Sequence, residues 1–414
     1  MKQACWIMII VLATPVATAL ARSPAAASLA GDEPASEDAR LPSSAASEPI
    51  FAPEHVSAAK PALPEEPSSR ELTLDRVVLS AASRIELNLF GDVSLLQLDG
   101  NDAAFVIGPV GFQLTARLAA HLVGRTEYVV KFAAGGATEI DLERLYLEYR
   151  TDHWAFVAGK THTEFGYWNT AFHHGTWLQL TKRRPRVVDF EQAGGVLPTH
   201  STGVTASYGP KRGDSGTELL VSVGNGHGRT LDTVQTESDN NAFKSVLVRL
   251  SAIGIGDPAL RFGVNAAVDE IAAEPATVRP MLPDRAILEL VTGVYLSLRD
   301  DHLMVFSETY NILHRSGTQN WQFTGGFLLA GYRFGHFTPY AEIEARSGAG
   351  AIDPFYQPDP AIDAHITKPA NFVEGTAGVR YELNTWSALK LELAAASFSD
   401  RNDYRAELNW SFGR

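Results

Sequence analysis

From Ile85 to Phe412, apolar and polar residues alternate in runs of roughly ten, each ended by a turn, and the unit returns about sixteen times. Such alternation marks a strand, because successive side chains point to opposite faces. The last run states it most clearly. Tyr404, Ala406, Leu408, Trp410 and Phe412 share one face, and Arg405, Glu407, Asn409 and Ser411 share the other. One such strand also suits a water-soluble sheet. The repetition carries the argument. In hydrocarbon every backbone N–H and C=O must be paired inside the protein, so only a sheet that closes on itself can cross a bilayer. The pattern therefore predicts an all-β fold, a transmembrane antiparallel up-and-down β-barrel of about sixteen strands over 85–414.

The first strand is expected over Ile85–Leu98, followed by a tight turn at Asp99-Gly100-Asn101, and the second around Phe112–Leu118. Short connections at Pro210–Gly216, Gly254–Pro258, Arg299–Asp301, Gly335-His336 and Asn384–Ser387 fall at every second junction. Longer ones, such as Asn225–Asn241, Asp269–Arg285 and Ser347–Asn371, fall between them, in what reads as a strict alternation. Short turns mark the periplasmic rim of such barrels and long loops the outside, which places both termini in the periplasm. Trp154, Tyr208, Trp386, Tyr404, Trp410 and Phe412 lie near predicted strand ends, where aromatic girdles meet the membrane interfaces.

Residues 1–21 read as a secretory signal peptide, with Lys2, an apolar run from Trp6 to Leu12, and Ala19-Leu20-Ala21 as the cleavage site. Residues 22–70, rich in Ala, Pro, Ser and Glu, read as a disordered periplasmic spacer, and 71–84 as a lead-in to the barrel. The lone cysteine, Cys5, falls within the signal, so the mature chain has no thiol chemistry. Removing Lys2 with the signal takes the formal charge from -13 to -14. An acidic chain without a basic stripe argues against nucleic acid as a partner. Neutral mean hydropathy fits a barrel in which only alternate residues meet lipid.

No cofactor or metal is expected. His173-His174, with His162 and His200, lack a Cys or carboxylate at usual ligand spacing and read as structural. Ser201 beside His200 is not a nucleophile relay, and no elbow motif is present, so no catalytic residues are assigned. Gly194-Gly195 and Gly325-Gly326 read as loop and close-packing positions.

The longest connection, Thr161–Ser201, joins the fifth and sixth predicted strands and is too aromatic for disorder. By position it is the third external loop. Here the chain resembles the Gram-negative outer-membrane porins, most closely the phosphate-selective group, over Ile85–Phe412. The shared features are sixteen strands, the loop alternation, the long third loop and the aromatic last strand. The chain departs from that pattern by ending Phe412-Gly413-Arg414 rather than on an aromatic residue. The resemblance implies an outer-membrane location, contact with lipid and lipopolysaccharide, a homotrimer, and a third loop that folds inward to narrow the pore.

On that reading Lys182, Arg183, Arg184 and Arg186, with Asp189 and Glu191 behind them, line the constriction. The rival placement leaves them solvated at the mouth or against anionic lipopolysaccharide. Arg117, Lys131, Arg144, Arg249, Arg261, Arg346, Arg380, Glu342 and Glu344 are expected among the lumen-facing wall residues. Acidic positions outnumber basic ones on the wall while the loop is basic, and the narrowest point normally dominates, which tilts the expectation toward anions such as phosphate. A passive channel for small hydrophilic solutes or ions is favoured over a barrel enzyme and over a soluble periplasmic β-rich binding protein.

Overall fold

The structure, a computed structural model, describes residues 84–132, 138–172, 176–189, 193–226, 228, 241–273, 285–348, 353–357 and 369–414. The expected signal peptide, the spacer at 22–70 and nearly all of the 71–84 lead-in lie outside them, as do His173, His174 and Glu191.

The chain forms one closed antiparallel barrel of sixteen strands. In chain order its segments are β1 (Ile85–Leu98), β2 (Ala104–Ile107), β3 (Val110–Ala119), β4 (Leu122–Phe132), β5 (Thr138–Arg150) and β6 (Trp154–His162). After the long connection come β7 (His200–Tyr208), β8 (Gly216–Gly224), β9 (Ser245–Ile253), β10 (Leu260–Ile271) and β11 (Ile287–Arg299). The rest are β12 (Leu303–Ser316), β13 (Gln319–Tyr332), β14 (Phe337–Gly348), β15 (Phe372–Asn384), β16 (Ser387–Phe398) and β17 (Asn402–Gly413). β17 pairs with β1 from Phe90↔Gly413 to Leu98↔Arg405 and shuts the ring, so no sheet edge is left open.

β2 and β3 are one crossing in two pieces. Val93 faces Ile107 and Phe90 faces Gly111, so residues 91–92 oppose 108–110 and one residue is extra. This bulge sits at Gly108-Pro109, where proline has no N–H to give the ladder. It also explains why the expected second strand began only near Phe112: the extra residue inverts the alternation, so Phe105 and Ile107 share the outer face with Phe112. A second bulge leaves Glu143 unopposed between the pairs Glu127↔Arg144 and Tyr128↔Leu142, and puts Glu143 and Arg144 side by side in the interior.

The faces are inverted relative to a water-soluble protein. On β16, Leu391 and Leu393 are 50% and 58% exposed, whereas Lys390 and Glu392 between them are 1% exposed. Most strands repeat this order, with leucine, valine and aromatic rings outward, but on β12 and β13 the inner face is itself largely apolar, with Phe306, Tyr310, Ile312, Phe323, Phe327 and Leu329 buried. An apolar band of this extent is unfavourable in water and favourable in hydrocarbon, which argues against the soluble alternative. Among the described residues no helix is long and apolar enough to cross a membrane.

Rings gather at the rim that carries the short turns. Trp154 lies 4.9 Å from Tyr208, and Phe337 lies 4.6 Å from Tyr381. Tyr404 belongs to the opposite rim, at the start of β17. The expected strict alternation of connection lengths does not hold. β12 and β13 are joined by Gly317-Thr318 alone, and β16 and β17 by residues 399–401, although both junctions lie at the long-loop end. Gly317, with φ 58°, supplies the left-handed residue such a tight hairpin needs.

Candidate channel constriction

The connection between β6 and β7 does not stand away from the barrel. It begins with one helical turn, α1 (Trp168–Ala171), and carries a 3-10 turn at Arg186–Val188. Phe165, Trp168, Phe172, Leu180, Val187 and Val196 are buried in one cluster with inner-face residues of β8 to β14. Trp168 meets Phe327 edge-on at 5.3 Å, and Phe172 meets Phe306 at 5.1 Å. Two glycines make room. A Cβ on Gly331 would lie 2.8 Å from Leu180, and one on Gly166, which has φ 58°, would lie 2.0 Å from the Tyr310 hydroxyl. Gly325, expected to serve close packing, faces Val187 in the same way.

Burying a loop creates a demand for hydrogen bonds, because its peptide groups have no ladder to join. Charged wall residues meet it. Glu308 Oε1 accepts from the backbone N–H groups of Tyr167 (2.7 Å) and Trp168 (2.6 Å), and the Tyr310 hydroxyl donates to the other carboxylate oxygen. Glu344 accepts from the Arg186 N–H at 2.6 Å, and Glu392 from the Lys182 N–H at 2.8 Å. Lys390 donates to the carbonyls of Gln179 (2.7 Å), Thr181 (2.8 Å) and Thr176. Arg380 donates to the carbonyls of Gln179 and Trp177 and lies over the Trp177 ring. Arg346 donates to the Gly194 carbonyl at 2.7 Å. Arg346, Arg380 and Glu344 thus face inward and are buried under the loop. Glu342 is buried beside them.

The basic cluster divides. Lys182 is buried, with its Nζ 3.7 Å from Asp92 and 3.5 Å from Glu407. Arg184 is buried and donates to the Asn169 side chain at 3.2 Å. Arg186 pairs with Glu374 at 2.7 Å beneath the rings of Phe372 and Phe398. Arg183 is half-buried, and no hydrogen bond or ion pair holds its guanidinium among the described residues. Asp189 is half-buried, close enough to Arg186 to act on its charge.

Of the remaining wall residues, Arg144 is buried against Glu127. Lys131 pairs with Asp141 at 3.0 Å, and Arg249 bridges Glu164 of the loop (2.7 Å) and Glu218 of β8 (3.2 Å). Arg117 and Arg261 are exposed on inner-face positions.

A second inward segment escaped the sequence reading. Residues 353–357, between β14 and β15, form a 3-10 turn at Pro354–Tyr356 whose N-cap, Asp353, accepts from the Phe355 N–H. His314 of β12 is fully buried between two carboxylates, with Nδ1 2.7 Å from Asp353 and Nε2 2.8 Å from Glu289. Tyr356 stacks on the imidazole at 5.4 Å, and its hydroxyl donates to the Val196 carbonyl of the long loop. The one available signal was the apolar Pro-Phe-Tyr triplet inside a polar connection. His162 and His200 pack ring to ring at 5.3 Å, and His200 pairs with Glu143 at 2.7 Å. Among the described residues no three His, Cys, Asp or Glu side chains are placed to hold a metal.

No family model and no curated protein matches this chain. Solved structures do match its fold. An anion-selective porin from Comamonas acidovorans is similar at 11% identity with a TM-score of 0.54, over 80% of this chain and 100% of that one. The outer membrane channel DcaP of Acinetobacter baumannii is similar at 15% identity and 0.50, over 80% and 97%. A loop-deletion mutant of OmpT, an outer membrane protein of Vibrio cholerae, is similar at 11% identity and 0.51, over 80% and 99%. At these identities the likeness is one of fold. It extends over the barrel, with its sixteen strands and scarcely any helix.

Proposed function

We propose that this chain is an outer-membrane porin of a Gram-negative bacterium: a water-filled channel for passive diffusion of small hydrophilic solutes or ions, with neither catalytic activity nor cofactor. The observation that carries the proposal is the inversion of faces. A closed barrel with an apolar exterior and, along β3 to β9, charged inner-face residues that keep contact with solvent is the arrangement expected of a water-filled lumen. The signal at 1–21 exports the chain, 22–70 spans periplasm, and the barrel assembles as a homotrimer among lipid and lipopolysaccharide.

Within this reading the 161–201 loop narrows the lumen, with Lys182, Arg183, Arg184, Arg186, Asp189 and Glu191 along it. Arg183 is the member least engaged in holding the loop to the wall, and it lies among Arg405, Arg186, Glu407 and Glu374 at the edge of the passage. A guanidinium held by no hydrogen bond or ion pair beside a narrow, low-dielectric passage favours anions there, phosphate among them. Purified protein in planar bilayers tests this. The expected result is stepwise conductance and a reversal potential in a KCl gradient of anion-selective sign, shifted toward cations by Arg183→Ala. Absence of conductance refutes the channel, and cation preference refutes the charge assignment.

A further inference from the structure

The inner wall is covered unequally. On β11 to β17 and β1 the inward residues are almost wholly buried, among them Val291, Tyr310, Leu329, Glu344, Arg380, Lys390, Glu392 and Asn409. On β3 to β9 many inward polar residues keep partial or full exposure, including Gln113, Arg117, Arg125, Tyr146, Glu148, Thr205, Ser222 and Arg249. The space left by the long loop therefore runs along β3 to β9 and the first residues of β10. The loop presents a different part of itself there: Glu164, Tyr167 and Thr170, spaced by three, are partly exposed, as is Ala171, while the residues between them are buried.

Two arginines along this space are stacked on tyrosines. Arg125 of β4 lies 5.7 Å from the centre of the Tyr146 ring, and its Nη1 donates to the Tyr146 hydroxyl at 2.8 Å. Its Nε is buried without a hydrogen-bond partner. Arg261 of β10 lies 5.9 Å from the centre of the Tyr167 ring. Other basic groups nearby are matched by acids, as in Arg144–Glu127, Lys131–Asp141 and Arg249–Glu164. Among the described residues neither Arg125 nor Arg261 has a carboxylate within ion-pair distance. A third guanidinium, Arg117, lies on the strand beside Arg125, one rung along: Thr115 faces Arg125 and Arg117 faces Val123.

A guanidinium with open donors takes a carboxylate in a planar fork, and a tyrosine face beside it takes an apolar ring. We infer that the solute path follows β3 to β10 opposite the covered wall, and that its Arg125–Tyr146 and Arg261–Tyr167 pairs select small aromatic monocarboxylates over aliphatic ones. This rests on the channel reading above and adds a solute class to it.

The test uses full-length protein in planar bilayers, with benzoate, acetate and chloride as the anions. Benzoate is expected to permeate at a higher ratio to acetate than its mobility allows, and to reduce chloride current as its concentration rises. Arg261→Ala and Tyr167→Leu are expected to lower the benzoate-to-acetate ratio about threefold or more each, the scale of a desolvated cation–π or charge-assisted contact. Chloride conductance persists in both. Arg125→Ala acts likewise, and Arg261→Lys, which keeps charge without the fork, keeps chloride conductance but not the benzoate preference. A ratio unmoved by all of these substitutions, with chloride conductance intact, overturns the inference and leaves the channel standing. A wild-type protein that conducts nothing overturns both.

Discussion

The two sides of the barrel interior use the same residue types to opposite ends. On the wall from β11 to β17 and β1, Glu308, Glu344, Glu392, Arg380 and Lys390 are buried, and they point at peptide groups of the long loop. On β3 to β9 and the start of β10, Arg117, Arg125, Arg249 and Arg261 stay in contact with solvent, and three of them touch tyrosines or partly exposed acids, although Arg144 is buried against Glu127. Position alone does not say which role a lumen charge plays. What separates them is whether a polypeptide backbone lies opposite. A buried peptide group left unpaired costs about 1–3 kcal/mol, so a wall charge that satisfies several is a structural residue even in a pore. A charge facing water contributes little to stability and is free to act on solutes.

Breaking the covered side has the larger consequences. Lys390 satisfies three loop carbonyls and Arg380 shares only that of Gln179, so Lys390→Ala leaves those of Thr176 and Thr181 without their cation. Breaking a buried charged contact of this kind costs about 3–5 kcal/mol. The expected outcome is a lower unfolding temperature for the purified barrel in detergent, read by circular dichroism, together with a larger and noisier single-channel conductance. Unchanged conductance and melting would mean that the loop is held by its apolar contacts alone. Gly331→Leu attacks the same wall sterically: Leu180 already lies 2.8 Å from where a Cβ would be. Overpacking costs about 1–3 kcal/mol, and the variant is expected to lose stability in the same assay while Gly375→Ala, which meets nothing within 4 Å, does not.

The barrel was legible because alternation is forced on every strand by its two solvents, and a pattern enforced sixteen times survives local error. The break at Gly108-Pro109 was not, since one extra residue inverts the faces and so resembles the end of a strand. The long loop was legible as an element by its length and its aromatic content. The division of labour within Lys182, Arg183, Arg184 and Arg186 was not, because it depends on which side chains meet Asp92, Glu374, Glu407 or Asn169, on elements far away in the chain. Likewise nothing near His314 in sequence announces Asp353 or Glu289.

That buried histidine gives an intermediate case. Both of its nitrogens meet carboxylates, and through Asp353 it ties the 353–357 turn to the wall. Asp353→Asn keeps the size of the side chain and the hydrogen bond to Phe355 but removes one charge from the pair. The expected cost is about 1–3 kcal/mol, confined to this turn. Limited proteolysis of the folded barrel is expected to cut between β14 and β15 faster than in the wild type, while the melting temperature moves little. Equal cutting rates would show that Phe355 and Tyr356, both fully buried, hold the turn without the ionic contact.

The open side should yield the smallest effect on stability. Arg117 is exposed on an inner-face position and makes no side-chain hydrogen bond or ion pair among the described residues, so Arg117→Ala is expected to change stability by no more than about 0.5 kcal/mol. Its effect on function should run the other way. Removing a positive charge from the less covered side of the interior lowers the local attraction for anions, and, if the proposed channel conducts, its reversal potential in a salt gradient should move toward cation selectivity, most at low ionic strength where screening is weakest. The same measurement on Arg346→Gln, a cation of the covered wall that holds the Gly194 carbonyl, should reverse the order: a large loss of stability with a small shift in selectivity. If Arg117→Ala destabilised the barrel as much as Arg346→Gln, burial under the loop would not be what divides structural from solute-facing charge.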